Sequence, residues 1–305
     1  MIVLIIGLGS IAQKHILALK SIDAGVVIFA LRSGKIGIDI HGVINLYSWD
    51  DIPGNIDFII ISNPTIEHFA TIEKAISLNK PLFIEKPPLA SLQGAEQLWN
   101  KIKEKNIPNF VAFSLRFHPV IQWLKKEVNV QKVLEVNAYY GSYLPEWRPG
   151  TDYRNSYSSR KASGGGVHLD LIHEIDYVTW IFGTPRKLDG FISTVSTLEL
   201  DVPDCAHYWL QYDTMNASVT VNYYRRHKKR EVEIAFEDET WIADLMNYTV
   251  KNGNGQIIYK TDTDIMIPYK AQMNYFVDTL QHNIGALNDF GNSLNTLALC
   301  LSAVE

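Results

Sequence analysis

The sequence predicts an α/β protein in two parts: a doubly wound parallel sheet over residues 1–118, and a second α/β domain with a large, mostly antiparallel sheet over 119–305. Three observations carry this. Short, continuous apolar runs rich in β-branched residues alternate with helix-length segments through the first third of the chain. A glycine turn follows the first of those runs directly. Beyond residue 118 the pattern changes to polar–apolar alternation punctuated by turn signals, which suits antiparallel strands with one covered face.

Taken in order, residues 1–6 read as a strand buried on both faces, followed by Gly7-Leu8-Gly9-Ser10-Ile11-Ala12 and a helix to about Ile22. Further strands are expected at 26–31, 43–46, 58–62, 81–84 and 109–114, with helices over 65–78 and 92–105. That alternation makes the first 118 residues a Rossmann-like dinucleotide-binding domain. In the second part, strands are expected at 133–143, 188–198, 206–212, 217–224, 231–237 and 256–259, with Asn252-Gly253-Asn254-Gly255 as a turn. One helix is expected over 166–182, ahead of Gly183-Thr184-Pro185, another over 270–282, and a last one from about Ser293. No capping residue closes that last helix, so a few further residues are expected beyond Glu305.

Composition narrows the function classes. The 305 residues are 47% hydrophobic and 20% charged, an ordinary globular balance long enough for two cores. Lys plus Arg number 28 against 33 Asp plus Glu, a formal net charge of -5, which argues against a general nucleic-acid binder. The two cysteines, Cys205 and Cys300, make no disulfide framework, and the apolar start is too short for a signal or membrane segment. A cytoplasmic protein without nucleic-acid or membrane partners is expected. No zinc or calcium ligand spacing and no Gly-x-Ser-x-Gly elbow occurs, so no metal is expected.

The first chemistry-bearing motif is the glycine turn. Gly7 permits the tight turn, Gly9 lets a pyrophosphate approach the backbone, and Ala12 allows close helix–strand packing. The N–H groups of Ser10 and Ile11 and the helix dipole then face the phosphates. At the end of the second strand an acid would bind a ribose 2′-hydroxyl, but the sequence reads Arg32-Ser33, which favours NADP(H) over NAD(H). The plainer reading of Arg32 is a solvated arginine. Ser62-Asn63-Pro64 and Glu85-Lys86-Pro87-Pro88 close the fourth and fifth strands, where ligands bind in open α/β sheets. A lysine there can polarise a hydroxyl or carbonyl.

In this order the motifs resemble the Gfo/Idh/MocA oxidoreductase family, named for glucose–fructose oxidoreductase and inositol dehydrogenase. The resemblance rests on Gly7-x-Gly9-x-x-Ala12, Asn63-Pro64-Thr65 with His68, Glu85-Lys86-Pro87, Arg116-Phe117-His118-Pro119 and Gly164-Gly165-Gly166-x-x-x-Asp170-x-x-His173-x-x-Asp176, and spans nearly the whole chain. It implies a C-terminal domain whose open sheet builds a homodimer or homotetramer, and NAD(P)-dependent chemistry on a sugar or polyol. It also implies cofactor contacts at Ser62, Asn63, Pro64, His68, Glu85 and Arg116, with Glu85 near the nicotinamide ribose and a cis bond before Pro87. Lys86 and His173 take the positions that flank the reacting carbon. Many members space the carboxylate and histidine by four; here Asp170 and His173 are three apart, a spacing that still shares a helix face. The run Asp-Leu-Ile-His-Glu-Ile-Asp-Tyr resembles the branch found with bacterial surface-sugar synthesis, which favours an activated or acidic sugar.

Histidine is the natural base near neutrality, so His173 is expected to accept the hydroxyl proton, with Asp170 orienting it and Lys86 stabilising the alkoxide. His168 and His282 read as structural, His118 as a turn residue, and Asp176 as a surface acid or a supporting partner. Trp147, Arg148, Tyr153, Arg154 and Tyr157 form an aromatic and arginine loop suited to a sugar and an anionic group, or else a packed loop. Arg225-Arg226-His227-Lys228-Lys229-Arg230 reads as a solvated strand connection rather than a phosphate patch. The competing functions are a cofactor-binding sensor, disfavoured by Lys86 with His173, and a reductase of a non-sugar substrate such as a tetrapyrrole.

Overall fold

The computed structural model describes residues 1–34, 39–128, 131–282 and 284–304. The chain divides into two compact units, Met1–Ser114 with Met266–Asn295, and Leu115–Ile265 with Thr296–Glu305. The return of 266–295 to the first unit differs from the expected division.

In the first unit, β1 (Ile2–Ile6) leads into α1 (Ser10–Ile22), β2 (Val27–Leu31), β3 (Val43–Leu46), β4 (Phe58–Ile61), α2 (His68–Ser77), β5 (Leu82–Glu85), α3 (Ala95–Glu104) and β6 (Asn109–Ala112). The six strands are all parallel in the order β3-β2-β1-β4-β5-β6, the order of dinucleotide-binding sheets. Their apolar continuity has its cause here: β4 and β5 are buried at every position, as strands covered on both faces must be. The chain reverses direction across the sheet beside β1, so the loops after β1 and β4 both open at the carboxyl edge, where such sheets bind ligands.

The second unit holds α4 (Pro119–Glu127), β7 (Val133–Tyr143), α5 (Val167–Asp170), α6 (His173–Phe182), β8 (Lys187–Ser193), β9 (Cys205–Gln211), β10 (Asn216–Asn222), β11 (Tyr224–Phe236), β12 (Thr240–Asp244), β13 (Thr249–Asn252) and β14 (Ile257–Lys260). Its eight-stranded sheet runs β14-β13-β12-β11-β7-β10-β9-β8. Every neighbouring pair is antiparallel except β7 with β10. Val136, Ala138 and Tyr140 of β7 face inward while alternate positions stay more open.

Three expected elements of this unit differ in the structure. The strand expected over 188–198 ends at Ser193. The basic run 225–230 is no connection: it lies inside β11. There Tyr224 pairs with Tyr143 and Lys229 with Gly141, so residues 225–228 bulge opposite a single partner position. The helix expected over 166–182 is two helices, α5 and α6, parted at Leu171-Ile172. A continuous helix therefore does not set the spacing of Asp170 and His173.

The last elements are α7 (Ile267–His282) and α8 (Phe290–Leu301). α7 belongs with the first unit because Phe276 completes an aromatic cluster there. Its ring lies 5.2 Å from Phe58 and 5.3 Å from Phe83, edge-on to both. Among the described residues no helix is long and apolar enough to cross a membrane.

Candidate active-site residues

The glycine turn shows why each position needs its residue. Gly7 has φ +90°, and a Cβ there would lie 2.6 Å from the backbone of Asn63, so both the dihedral and the close approach demand glycine. Ser62 Oγ donates to the Gly7 carbonyl at 2.8 Å and ties β4 to the same turn. Gly9 differs: its φ of -84° suits any residue, and a Cβ there would meet nothing within 4 Å. It caps α1 without a side-chain hydrogen bond, and no acid stands in the first turn of the helix. Gly9 and Ser10 are exposed and Ala12 is buried. Open space over bare N–H donors at a helix start fits an anionic pyrophosphate. Asn63 adds a second fit: its Nδ2 donates to Glu67 and Thr71, while its buried Oδ1 has no hydrogen-bond partner among the described residues.

The two carboxyl-edge turns are braced by His68, which is 1% exposed. Its Nδ1 lies 3.1 Å from the Pro88 carbonyl and its Nε2 3.0 Å from that of Asn63. Burial holds its pKa below the usual value against the pull of the two carbonyls, so a neutral ring donates to one of them. His68 is thus a strut between the turns, and the Lys86-Pro87 bond within the second of them is cis. Pro64 is exposed. Glu85 is nearly buried, with its Oε2 accepting from the Lys86 backbone N–H at 3.1 Å. Arg32 donates to Asp39 Oδ1 at 3.1 Å and to Asn45 Oδ1 at 3.3 Å, while Ser33 is exposed.

In the second unit three acids of the α5–α6 segment, Glu174 and Asp176 fully buried and Asp170 half-buried, are each tethered from afar. Asp170 Oδ2 accepts from the Tyr223 hydroxyl at 2.8 Å. Glu174 takes both a 2.6 Å and a 3.2 Å bond from Arg230, whose guanidinium lies 4.1 Å over the Tyr140 ring. Asp176 is fully buried and receives Arg116 in a forked pair, Nε at 2.9 Å and Nη2 at 2.7 Å. Asp176 is therefore no surface acid, and the guanidinium of Arg116, expected at the cofactor, is engaged by it. Burial pushes the Asp176 carboxyl above its ordinary range, with Arg116 opposing. His173 is 9% exposed at the start of α6.

His168 is buried, with its pKa lowered to about 4 by burial, and His282 bonds its own helix at Asp278. His118 does more than mark a turn. It caps α4, reaches the Leu245 carbonyl, and is brought to about 4 by burial and by Arg230. The aromatic loop is largely satisfied internally. Trp147 donates to Ser142 and Tyr153 to the Leu198 carbonyl; Tyr157 donates to Gly164, and Arg154 pairs with Asp152. Arg148 is exposed.

Sequence reasoning passed over His15, Tyr223, Glu174 and Arg230. The one available signal for His15 was its place on the apolar face of α1, between Ala12 and Ile16.

The family model described as the Gfo/Idh/MocA oxidoreductase family, NAD-binding Rossmann fold, matches residues 1–113, and the model of the family's C-terminal domain matches 127–242. The chain is similar to levoglucosan dehydrogenase of Pseudarthrobacter phenanthrenivorans, 25% identical over 142 residues, 46% of this chain and 36% of that protein. It is also similar to scyllo-inositol 2-dehydrogenase (NAD(+)) of Bacillus subtilis strain 168, 29% identical over 132 residues, 43% of this chain and 36% of that one. These matches span little more than a third of the length of either relative. A solved structure of levoglucosan dehydrogenase in complex with NADH superimposes with a TM-score of 0.86 at 16% identity, covering 100% of this chain and 96% of that one, which shows a shared fold. With an NAD(P)-binding Rossmann sheet in its first unit and the family's C-terminal domain in its second, the chain belongs to the Gfo/Idh/MocA oxidoreductase family.

Proposed function

We propose that the protein is an NAD(P)-dependent oxidoreductase acting on a secondary alcohol or ketone of a sugar or sugar derivative. The observation that carries this is the carboxyl edge of the first sheet. There an uncapped glycine turn faces open space, and the adjoining turn presents Lys86 directly after the buried Glu85. The names of the dehydrogenase relatives support the substrate class. When bound, the nicotinamide supplies the acceptor or donor for hydride. Gly9, Ser10 and Ile11 seat the phosphates with backbone N–H groups. Lys86 stabilises the developing alkoxide, and His173 takes the hydroxyl proton in the oxidising direction. Asp170 serves by fixing the Tyr223 hydroxyl, the contact it makes through Oδ2.

NADP(H) is the favoured cofactor, because the second strand ends in Arg32-Ser33 with no acid. The substrate carries an acidic or activated group, for which Arg148 is an exposed arginine of the aromatic loop, while Arg154 is paired with Asp152. Trp209 and Ile242 occupy one cross-sheet register row, 49% and 38% exposed, and this open face is the surface for a second copy. If Trp209→Glu left the sedimentation of the protein unchanged, that surface would be excluded. Both cysteines are buried and free, in keeping with a cytoplasmic protein.

The test is turnover of NADP and NAD against a panel of polyols, free sugars and nucleotide sugars. Lys86→Ala and His173→Asn should each lower kcat on the order of 10²–10⁴-fold with cofactor binding retained. Cofactor binding without turnover of any alcohol by the wild type would favour the sensor.

A further inference from the structure

α1 begins at the glycine turn, and His15 lies on its buried face with no exposed surface. The ring packs edge-on against Phe83 of β5, centroids 5.0 Å apart, and against Tyr269 of α7 at 6.4 Å. Its Nε2 lies 2.7 Å from Oε1 of Glu85. Nδ1 meets no hydrogen-bond partner among the described residues, which leaves Nε2 to carry the proton toward the carboxylate. The other carboxylate oxygen takes the Lys86 backbone N–H at 3.1 Å.

Both oxygens of Glu85 are therefore held by this chain's own donors, and its side chain is 9% exposed. An ionised carboxylate has about four acceptor sites, so lone pairs remain for a donor arriving at the carboxyl edge of the sheet. The hydroxyls of a dinucleotide's ribose are donors of that kind. A glutamate left to itself samples several rotamers and would have to be ordered on binding. Two fixed hydrogen bonds remove that freedom beforehand.

We propose that His15 is a positioning residue. Through one buried hydrogen bond it locks the helix that starts at the phosphate turn to the Glu85 carboxylate, and so fixes the orientation in which Glu85 receives a ribose hydroxyl of the cofactor. This rests on the reading that the first unit binds NAD(P). The ring acts through Glu85 alone and touches no ligand.

The test compares wild type with His15→Leu, His15→Asn and His15→Gln. Dissociation constants for NADPH and NADH come from nicotinamide fluorescence. Those for adenosine 5′-diphosphate, with and without a 2′-phosphate, come from competition; these fragments lack the second ribose. His15→Leu and His15→Asn should weaken the whole dinucleotide by roughly 10–100-fold, the value of one charge-assisted hydrogen bond, and the fragments by less than about twofold. The Gln amide reaches about as far as Nε2, so His15→Gln should restore most of the affinity, whereas the shorter Asn should not. Should His15→Leu fail to fold, the contrast between Gln and Asn decides. Equal loss of dinucleotide and fragment in the Leu and Asn variants would make His15 merely structural and overturn the proposal. Unchanged binding in every variant would do the same. A wild-type protein that binds neither dinucleotide would overturn the cofactor reading itself.

Discussion

Gly7 and Gly9 sit two residues apart in one turn, yet alanine should act on them in opposite ways. At Gly7 the new Cβ meets the Asn63 backbone at 2.6 Å, and the φ of +90° is one that alanine adopts only under strain. The dihedral costs about 1–3 kcal/mol and the overpacking about as much again, so a destabilisation of roughly 2–5 kcal/mol is expected. For a unit of this size that lowers Tm by about 5–20 °C. At Gly9 the dihedral is ordinary and a Cβ meets nothing within 4 Å. Stability should stay within about 0.5 kcal/mol of wild type. The added methyl nevertheless stands in the space assigned to the pyrophosphate, so Gly9→Ala should weaken NAD(P)H binding at least ~10-fold with Tm almost unmoved. Differential scanning fluorimetry with and without NADPH reads both effects. If Gly9→Ala kept its cofactor affinity, the phosphate seat would lie elsewhere. If Gly7→Ala kept its Tm, the close approach to Asn63 would not be the reason for glycine.

Three further outcomes follow from side chains already described. Arg32→Ala should cut the preference for NADPH over NADH by about 10–100-fold, the value of a charge-assisted contact to a 2′-phosphate; an unchanged ratio of dissociation constants would leave Arg32 a structural residue that ties Asp39 to Asn45. Asp176→Asn strands the buried Arg116 charge and should cost about 3–5 kcal/mol in denaturant unfolding, whereas replacing both partners with apolar residues should recover much of it; an Asn variant as stable as wild type would mean the forked pair contributes nothing. His118 and His168 are held neutral, with folded pKa values of about 4 against 6.5 for the free ring. Between those values the unfolded chain takes up the protons, so their contribution is full above about pH 6.5 and falls by about 3 kcal/mol per ring as pH drops toward 4. Urea midpoints from pH 7 to 4 check this, and His168→Phe should show a shallower decline than wild type.

What was legible depended on which physical rule set each element. β1, β4, β5 and β6 are buried at nearly every position, so apolar continuity locates them within a residue or two. The glycine turn was legible because a sharp reversal and a close approach leave few other residues able to stand there. β12 and β13 were not legible. Thr240–Asp244 buries only Trp241 and Ala243, too short an alternation to separate from a loop. β11 begins earlier than its apolar alternation shows, because its first half is a cationic bulge whose Arg226, His227 and Lys228 are exposed. Arg230 ends that run largely covered, paired with Glu174 and lying over the Tyr140 ring.

The break between α5 and α6 has no local cause that a sequence could reveal. Leu171 and Ile172 are ordinary helix residues, with neither glycine nor proline to stop the turn. The causes lie far along the chain. Asp170, Glu174 and Asp176 are bound to Tyr223, Arg230 and Arg116, partners 53, 56 and 60 residues away. Glu174 and Asp176 are fully buried and Asp170 half-buried, and a buried carboxylate without a partner is costly, so the segment takes the backbone path that satisfies all three tethers. An unbroken helix would fix the directions of positions 170, 174 and 176 relative to one another by its 100° step. Parting it at Leu171-Ile172 frees Asp170 to meet Tyr223 while Glu174 and Asp176 keep their arginines. The same break sets His173 at the first position of α6. The acid–histidine spacing is readable in the sequence, but the geometry it takes is decided by Tyr223, Arg116 and Arg230.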